Sequence, residues 1–200
     1  MDLWSDEARV AMWPEATYRR LVTAPEPTSL LRLLRRPAVV LLVISTLVPI
    51  MAVQRVTVGL VITTAVSWGF VVAIQWITGG LVVASAPARR VGFRRALDLW
   101  FAGHLPYSLW MLVFFSAMAN LRSASVGLVA LSAVVPSAWT TAIVAAYCRI
   151  VLGASPSEAR SRAAVHLAFV WIVGVTYMVW AAGGTAGPLR TIREGLGVQR

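Results

Sequence analysis

Residues 87–110 read PARRVGFRRALDLWFAGHLPYSLW. They join a loop that carries four arginines to an apolar stretch that holds an aspartate, a histidine and a proline. Basic loops beside apolar segments favour the cytoplasmic side of a membrane. Ionisable side chains inside such segments are costly and mark candidate functional sites. This stretch therefore sets the predicted orientation of the chain and contains its main candidate site.

The composition predicts a membrane protein. Of the 200 residues, 58% are hydrophobic and 13% are charged, and the mean hydropathy is +0.75. Soluble domains are about 25% charged. Several long apolar runs are typical of helices that cross a bilayer. The sequence predicts an all-α polytopic membrane protein, a bundle of about five transmembrane helices with short interfacial helices at the N-terminus.

The predicted organisation has three parts. Residues 1–36 form a polar cytoplasmic segment with short helices over residues 14–22 and 29–36, the second amphipathic and suited to the membrane interface. Residues 37–187 form the transmembrane domain, and residues 188–200 form a short basic tail. The five predicted spans are about 38–53, 56–86, 96–119, 126–152 and 163–182. We expect the second span to be one tilted helix.

The distribution of arginine predicts the orientation and the partners. All 18 basic residues are arginines, and the net charge is +10. They are many in the N-terminal segment and in the second and fourth loops, and few in the first and third loops, which is the positive-inside pattern. The N-terminus is therefore predicted to be cytoplasmic, in a multi-pass protein of the cell membrane. We expect membrane lipids as partners, with another membrane protein or a second copy as further candidates, and no nucleic acid.

Asp98 is the acid predicted to lie within or beside the third span. Arg94 and Arg95 precede it by four and three residues, so all three share one helical face. An interfacial ion pair is the simpler interpretation, and a proton relay or a substrate contact is the alternative.

His104 lies further along the same span, with Tyr107 and Ser108 at helical spacings of three and four residues. With Asp98, these residues form the candidate intramembrane polar site, and hydrogen bonding between helices is the simpler alternative. A second imidazole would come from His166 if the third and fifth spans pack together.

Motifs for catalysis or for cofactor binding are not recognisable. Cys148 is the single cysteine, so an intrachain disulfide and a cysteine metal cluster are excluded. No nucleophile elbow, phosphate loop or metal-binding motif is present. We therefore expect no enzymatic activity, no cofactor and no bound metal.

Three passages together resemble the Ypt-interacting-protein (Yip) domain family of small membrane proteins. They are MWPEATYRRLVTAPEP at residues 12–27, RRVGFRRALDLWFAGHLPYSLWMLV at residues 89–113 and VLGASPSEARSRAAV at residues 151–165. The resemblance implies a five-helix bundle with a cytoplasmic N-terminus and no catalytic activity. Eukaryotic members bind small prenylated GTPases in vesicle traffic. The absence of lysine, with abundant alanine, valine and arginine, indicates a bacterial-type member.

Two functions without catalysis remain open on the sequence, and a membrane-embedded enzyme is a third alternative that would need a second acid or histidine facing His104. The first is partner binding or scaffolding in the membrane or at its cytoplasmic face, in which basic residues contact anionic lipid or an acidic partner: Arg89, Arg90, Arg94 and Arg95. The second is a small permease or a substrate-binding transporter subunit that uses the polar residues of the third span. A closed bundle with Asp98 paired to Arg94 or Arg95 would favour binding, and a pocket that reaches His104 would favour transport.

Overall fold

A computed structural model describes residues 3–24, 30–120 and 126–182, and within them the regular secondary structure is entirely helical. The helices are α1 (Leu3–Met12), α2 (Pro14–Thr23), α3 (Leu30–Val53), α4 (Val58–Ala84), α5 (Phe93–Ala102), α6 (Leu105–Asn120), α7 (Val126–Ile150) and α8 (Pro156–Ala182). Among the described residues, three helices are long and apolar enough to cross a membrane, over Leu33–Ile50, Val58–Ala84 and Leu131–Ile150. The predicted basic tail lies outside the described residues.

The first two predicted spans correspond to α3 and α4. The sequence divides residues 29–36 from a span that begins after Pro37, whereas α3 runs through Pro37 without a break. A proline inside a helix removes one hydrogen bond and crowds the carbonyl four residues earlier, but the packing of α3 against α4, α5 and α6 offsets this cost. The long second run forms one helix, as expected, and Thr57 caps it by accepting a hydrogen bond from the Leu60 N–H at 3.2 Å.

The third predicted span, 96–119, is two helices rather than one. The chain turns at Gly103 and His104, between α5 and α6. A Cβ at Gly103 would lie 2.7 Å from the Tyr18 hydroxyl oxygen, so only glycine fits at this corner. Pro106 stands in the first turn of α6, where a helix does not need the missing N–H. The proline therefore marks the start of a helix, and the prediction of a continuous span was wrong at this point.

The N-terminal helices pack into the bundle. Helix α1 contacts α5, α6 and α7, and α2 contacts α7. The side chain of Tyr18 is fully buried, and its hydroxyl donates to the Leu99 carbonyl oxygen at 3.4 Å. Burial raises the pKa of Tyr18, so the hydroxyl keeps its proton and remains a donor. The Trp139 indole N–H donates to the Ala11 carbonyl oxygen at 2.9 Å. These contacts make α1 and α2 part of the folded core.

Trp100 lies at the centre of the core. Its indole N–H donates to the Gln75 carbonyl oxygen at 3.2 Å, and its ring packs edge-to-face on Tyr147 with the ring centroids 5.5 Å apart. The opposing surface of α4 is Gly79, where a Cβ would lie 2.6 Å from the Trp100 ring. Helices α4 and α5 therefore approach closely because one of them carries a glycine at the contact.

We expect Gly79→Ala to lower the melting temperature of the detergent-solubilised protein, because the added methyl group would force the Trp100 ring out of its position. Gly80→Ala is the matched control, since nothing lies within 4 Å of a Cβ at Gly80. Alanine favours a helix over glycine by about 1 kcal/mol, so the control should be neutral or stabilising. Equal melting temperatures for the two variants would contradict the close contact.

Candidate functional site

Asp98 is buried on α5 and paired with two arginines. Its Oδ2 accepts a hydrogen bond from Arg95 Nη1 at 3.0 Å, which is the pairing expected from the helical spacing. Its Oδ1 accepts one from Arg36 Nη1, which also donates to the Asp98 backbone carbonyl at 3.0 Å. Arg94, the other predicted partner, is exposed at the start of α5.

The pairing extends to the N-terminal helices. Arg36 Nε donates to Glu7 Oε1 on α1, and Arg95 Nη2 donates to the Leu21 carbonyl oxygen on α2 at 3.0 Å. We call Glu7, Arg36, Arg95 and Asp98 the ion cluster. Two acids and two arginines balance formally, as buried charges must to offset their desolvation. The cluster joins α1, α2, α3 and α5.

Sequence reasoning missed two members of the ion cluster. The sequence predicts Arg36 at the membrane interface. It predicts Glu7 in a polar segment, outside the two short helices. Both lie on apolar helical faces, since Val10 follows Glu7 at three residues and Leu33 precedes Arg36 at three residues, and both apolar side chains are buried. A charged residue at core spacing was the available signal.

His104 and His166 lie together in the core. Their ring centroids are 5.5 Å apart, and the Trp100 ring is 4.9 Å from each. The Nδ1 of His104 donates to the Trp100 carbonyl oxygen at 2.9 Å, since a carbonyl can only accept. Within the described part of the chain, His104 Nε2 and His166 Nδ1 are buried and have no hydrogen-bond partner. The two imidazoles thus lie together, as expected if the third and fifth predicted spans pack together.

The histidine pair falls short of a metal centre of the usual kind. Catalytic zinc sites use three protein ligands and structural sites use four. Among the residues that the structure describes, no group of three or more histidine, cysteine, aspartate or glutamate side chains could hold a metal ion. The two imidazole rings meet edge-to-face, and within the described residues each has one buried nitrogen without a hydrogen-bond partner.

The four predicted polar residues of the third span make separate contacts, and Ser108 alone among them lines the pocket described below. Asp98 belongs to the ion cluster, and His104 packs against Trp100. The Tyr107 ring packs on Trp110 with centroids 5.2 Å apart, and the Ser108 hydroxyl donates to the His104 carbonyl oxygen at 3.0 Å. The break at Gly103 places Asp98 and Tyr107 on different helices.

A groove with a cavity volume of about 100 Å³ lies between α3 and α6. We call it the α3–α6 groove. One end is formed by Glu7 and Arg36, and Ser108 also contributes to the lining. The remaining lining is apolar: Val39, Val40, Val43, Ile44, Phe101, Leu105, Leu109 and Leu112. The groove therefore joins the ion cluster to an apolar channel, and His104 is not part of its lining.

Three of the four predicted basic contacts are exposed: Arg89, Arg90 and Arg94. We call them the basic surface. The fourth, Arg95, is buried in the ion cluster and is not part of this surface. The loop is held by the Arg90 N–H, which donates to the Val151 carbonyl oxygen at 2.8 Å. Gly153 has a φ of +71°, and a Cβ added to it would lie 2.8 Å from the Ala88 carbonyl oxygen. The second and fourth loops therefore meet at one end of the bundle.

No protein-family model matches this chain, and no curated protein or solved structure is significantly similar to it. The interpretation of the site rests on the ion cluster, the histidine pair, the groove and the basic surface themselves.

We expect Arg36→Met to destabilise the solubilised protein strongly, because it leaves Glu7 without its cation and Asp98 with one arginine. Breaking a buried pair on one side costs about 3–5 kcal/mol. Arg35→Met is the matched control, since Arg35 is exposed on the same helix. The measurement is thermal or denaturant unfolding of both variants. A loss no greater for Arg36→Met than for Arg35→Met would show that the cluster is not a structural requirement.

Proposed function

We propose that this chain is a non-enzymatic integral membrane protein that acts by binding partners at its cytoplasmic face. The observation that carries the proposal is the closure of the ion cluster. Arg36 and Arg95 both neutralise Asp98, the acid of the predicted polar site. A carboxylate that is buried and doubly paired is poorly suited to binding a passing substrate. The outward-facing arginines of the basic surface remain as the contact region.

The proposed arrangement has five crossings and a cytoplasmic N-terminus. In support of it, the segments that the arginine pattern assigns to the cytoplasm meet at one end of the bundle. Glu15 on α2 pairs with Arg149 near the end of α7 at 2.8 Å, and the Arg90 N–H donates to the Val151 carbonyl oxygen. The N-terminal helices and the second and fourth loops are thereby neighbours, as the positive-inside pattern requires. Helices α5 and α6 together would make the third crossing.

The Yip-like class remains part of the proposal. It rests on the three sequence passages, and the all-helical fold is compatible with it. Two of those passages meet in the structure, since the loop before α5 is bonded to the loop before α8. A shared, arginine-bearing end formed by the two loops is a suitable contact region for an acidic protein partner.

Two observations weigh against the transport alternative. The α3–α6 groove contacts Ser108 but not His104, and its polar end is the internally paired ion cluster. His104 is only 5% exposed and packs against both Trp100 and His166. A water-filled path along the third span would need these side chains to be accessible.

We expect a cysteine at position 104 to resist an impermeant thiol reagent in membrane vesicles. The experiment uses a Cys148→Ala background and single cysteines at His104, Tyr107 and Ser108. Arg160→Cys should react only from the cytoplasmic side and Arg122→Cys only from the opposite side, which tests the orientation. Reaction of all three test positions from either side would favour transport and overturn the proposal.

We expect the combined variant Arg89→Gln, Arg90→Gln and Arg94→Gln to bind an acidic peptide about tenfold more weakly than the unmodified protein. Exposed charge pairs contribute about 0.2–1 kcal/mol each. The probe is fluorescent decaglutamate, measured by anisotropy with the protein in neutral detergent at low salt. A charge-matched control replaces three other exposed arginines by glutamine: Arg9, Arg19 and Arg35. Equal weakening in both variants would mean that peptide binding depends on net charge and not on the basic surface.

A further inference from the structure

The α3–α6 groove is apolar along its length and polar at one end. Its polar end is formed by Glu7 and Arg36, and α3 residues Val40 and Val43 face α6 residues Leu109 and Leu112 across it. A site of this shape is complementary to a molecule with a polar head and an apolar tail.

Within the described residues, hydrogen-bonding atoms remain without a partner at the polar end of the groove. An arginine has five N–H groups. Within the described residues, Arg36 donates once through Nε and twice through Nη1, and Nη2 makes no hydrogen bond. Glu7 is 6% exposed, and in the described part of the chain its Oε2 is buried without a hydrogen-bond partner. A buried carboxylate oxygen without a partner is unfavourable. Arg36 and Glu7, which both line the groove, therefore offer one donor atom and one acceptor atom.

We propose that the α3–α6 groove binds one phospholipid whose headgroup carries a primary ammonium, as in phosphatidylethanolamine. The phosphate accepts hydrogen bonds from Arg36 Nη2, and the ammonium donates to Glu7 Oε2. One acyl chain follows the valines of α3 and the leucines of α6. The inference rests on the membrane placement in the proposed function, but not on the basic surface.

Other headgroups satisfy only half of the site. A quaternary choline has no N–H to donate, so Glu7 Oε2 would stay unpaired. A glycerol headgroup has hydroxyl donors but no cation to meet the carboxylate. The ion cluster is formally neutral, so general attraction of anions does not favour an acidic lipid here. A lipid with adjacent phosphate and ammonium groups satisfies both atoms.

The position of the groove along α3 agrees with the orientation of a lipid. Arg36 stands near the beginning of the apolar stretch Leu33–Ile50, and the groove-lining residues Val39 to Ile44 follow it. At 1.5 Å per residue, those side chains lie roughly 5–12 Å further along the helix axis. The headgroup contacts thus fall at the interface end, and the apolar lining falls on the side of the hydrocarbon.

The test compares phosphatidylethanolamine, phosphatidylcholine and phosphatidylglycerol with identical acyl chains, added to delipidated protein in detergent. The readouts are the melting temperature and the number of lipids retained in native mass spectrometry. We expect phosphatidylethanolamine at saturation to raise the melting temperature by about 5 °C more than either competitor, with one molecule retained. Equal shifts for the three lipids would mean non-specific association and would overturn the inference.

Two variants address the site directly. Glu7→Gln should remove the preference for phosphatidylethanolamine over phosphatidylcholine, because an amide cannot pair with the ammonium charge. Since that variant also touches the ion cluster, Val43→Trp provides a second test by filling the groove without changing a charge. Leu42→Trp is its control, at an exposed α3 position outside the groove lining. A persistent preference in Val43→Trp would contradict the site.

The lipid inference and the proposed partner binding fail separately. The variant that lacks Arg89, Arg90 and Arg94 should keep its lipid preference, because these side chains do not line the groove. Loss of peptide binding with retained lipid preference would leave both proposals intact. Normal peptide binding with no lipid preference would remove the inference alone.

Discussion

The buried charge of Asp98 is the constraint on which the bundle depends. A carboxylate packed among apolar helices must be neutralised, and one arginine comes from its own helix while the other comes from α3. Arg36 in turn has two acids to balance, since it also binds Glu7 on α1. The polar contacts needed to bury one aspartate thus fix the places of α1, α2, α3 and α5. The N-terminal helices are structural partners of the apolar helices and not an appended segment.

This arrangement separates the polar groups of the chain by role. Among the described residues, the ion cluster leaves Glu7 Oε2, Arg95 Nε and Arg36 Nη2 without a partner, and the histidine pair packs against the Trp100 ring. The basic surface points outward beside the junction of two loops. The α3–α6 groove connects buried charge with an open apolar surface. Interaction with lipid and interaction with an acidic protein partner are therefore assigned to different regions, which do not share side chains.

The sequence predicted what depends on local spacing and missed what depends on distant packing. The all-helical class, the single helix α4 and the Asp98–Arg95 pair follow from composition, run length and a spacing of three residues. Arg36 lies 62 residues from Asp98, so no local pattern could join them. At the break, Gly103 leaves room for Tyr18 from α2, an approach that the sequence does not reveal. The place of Pro106 at the start of a helix is clear only once that break is known. The five-span arrangement, the function and the roles of the basic residues stay predictions.

The residues of the ion cluster are synthesised one after another, and their order determines when the helices can assemble into the bundle. Arg36 leaves the ribosome 62 residues before Asp98, which corresponds to roughly 3–12 s at ordinary translation rates. The rest of α3 and all of α4 are synthesised during that interval. Until it ends, Glu7 is the only acid of the cluster available to Arg36. Helix α5 then delivers the second carboxylate together with its own arginine. Final assembly thus waits for a helix that is made late, and a nascent chain arrested after α4 carries an incomplete charge network.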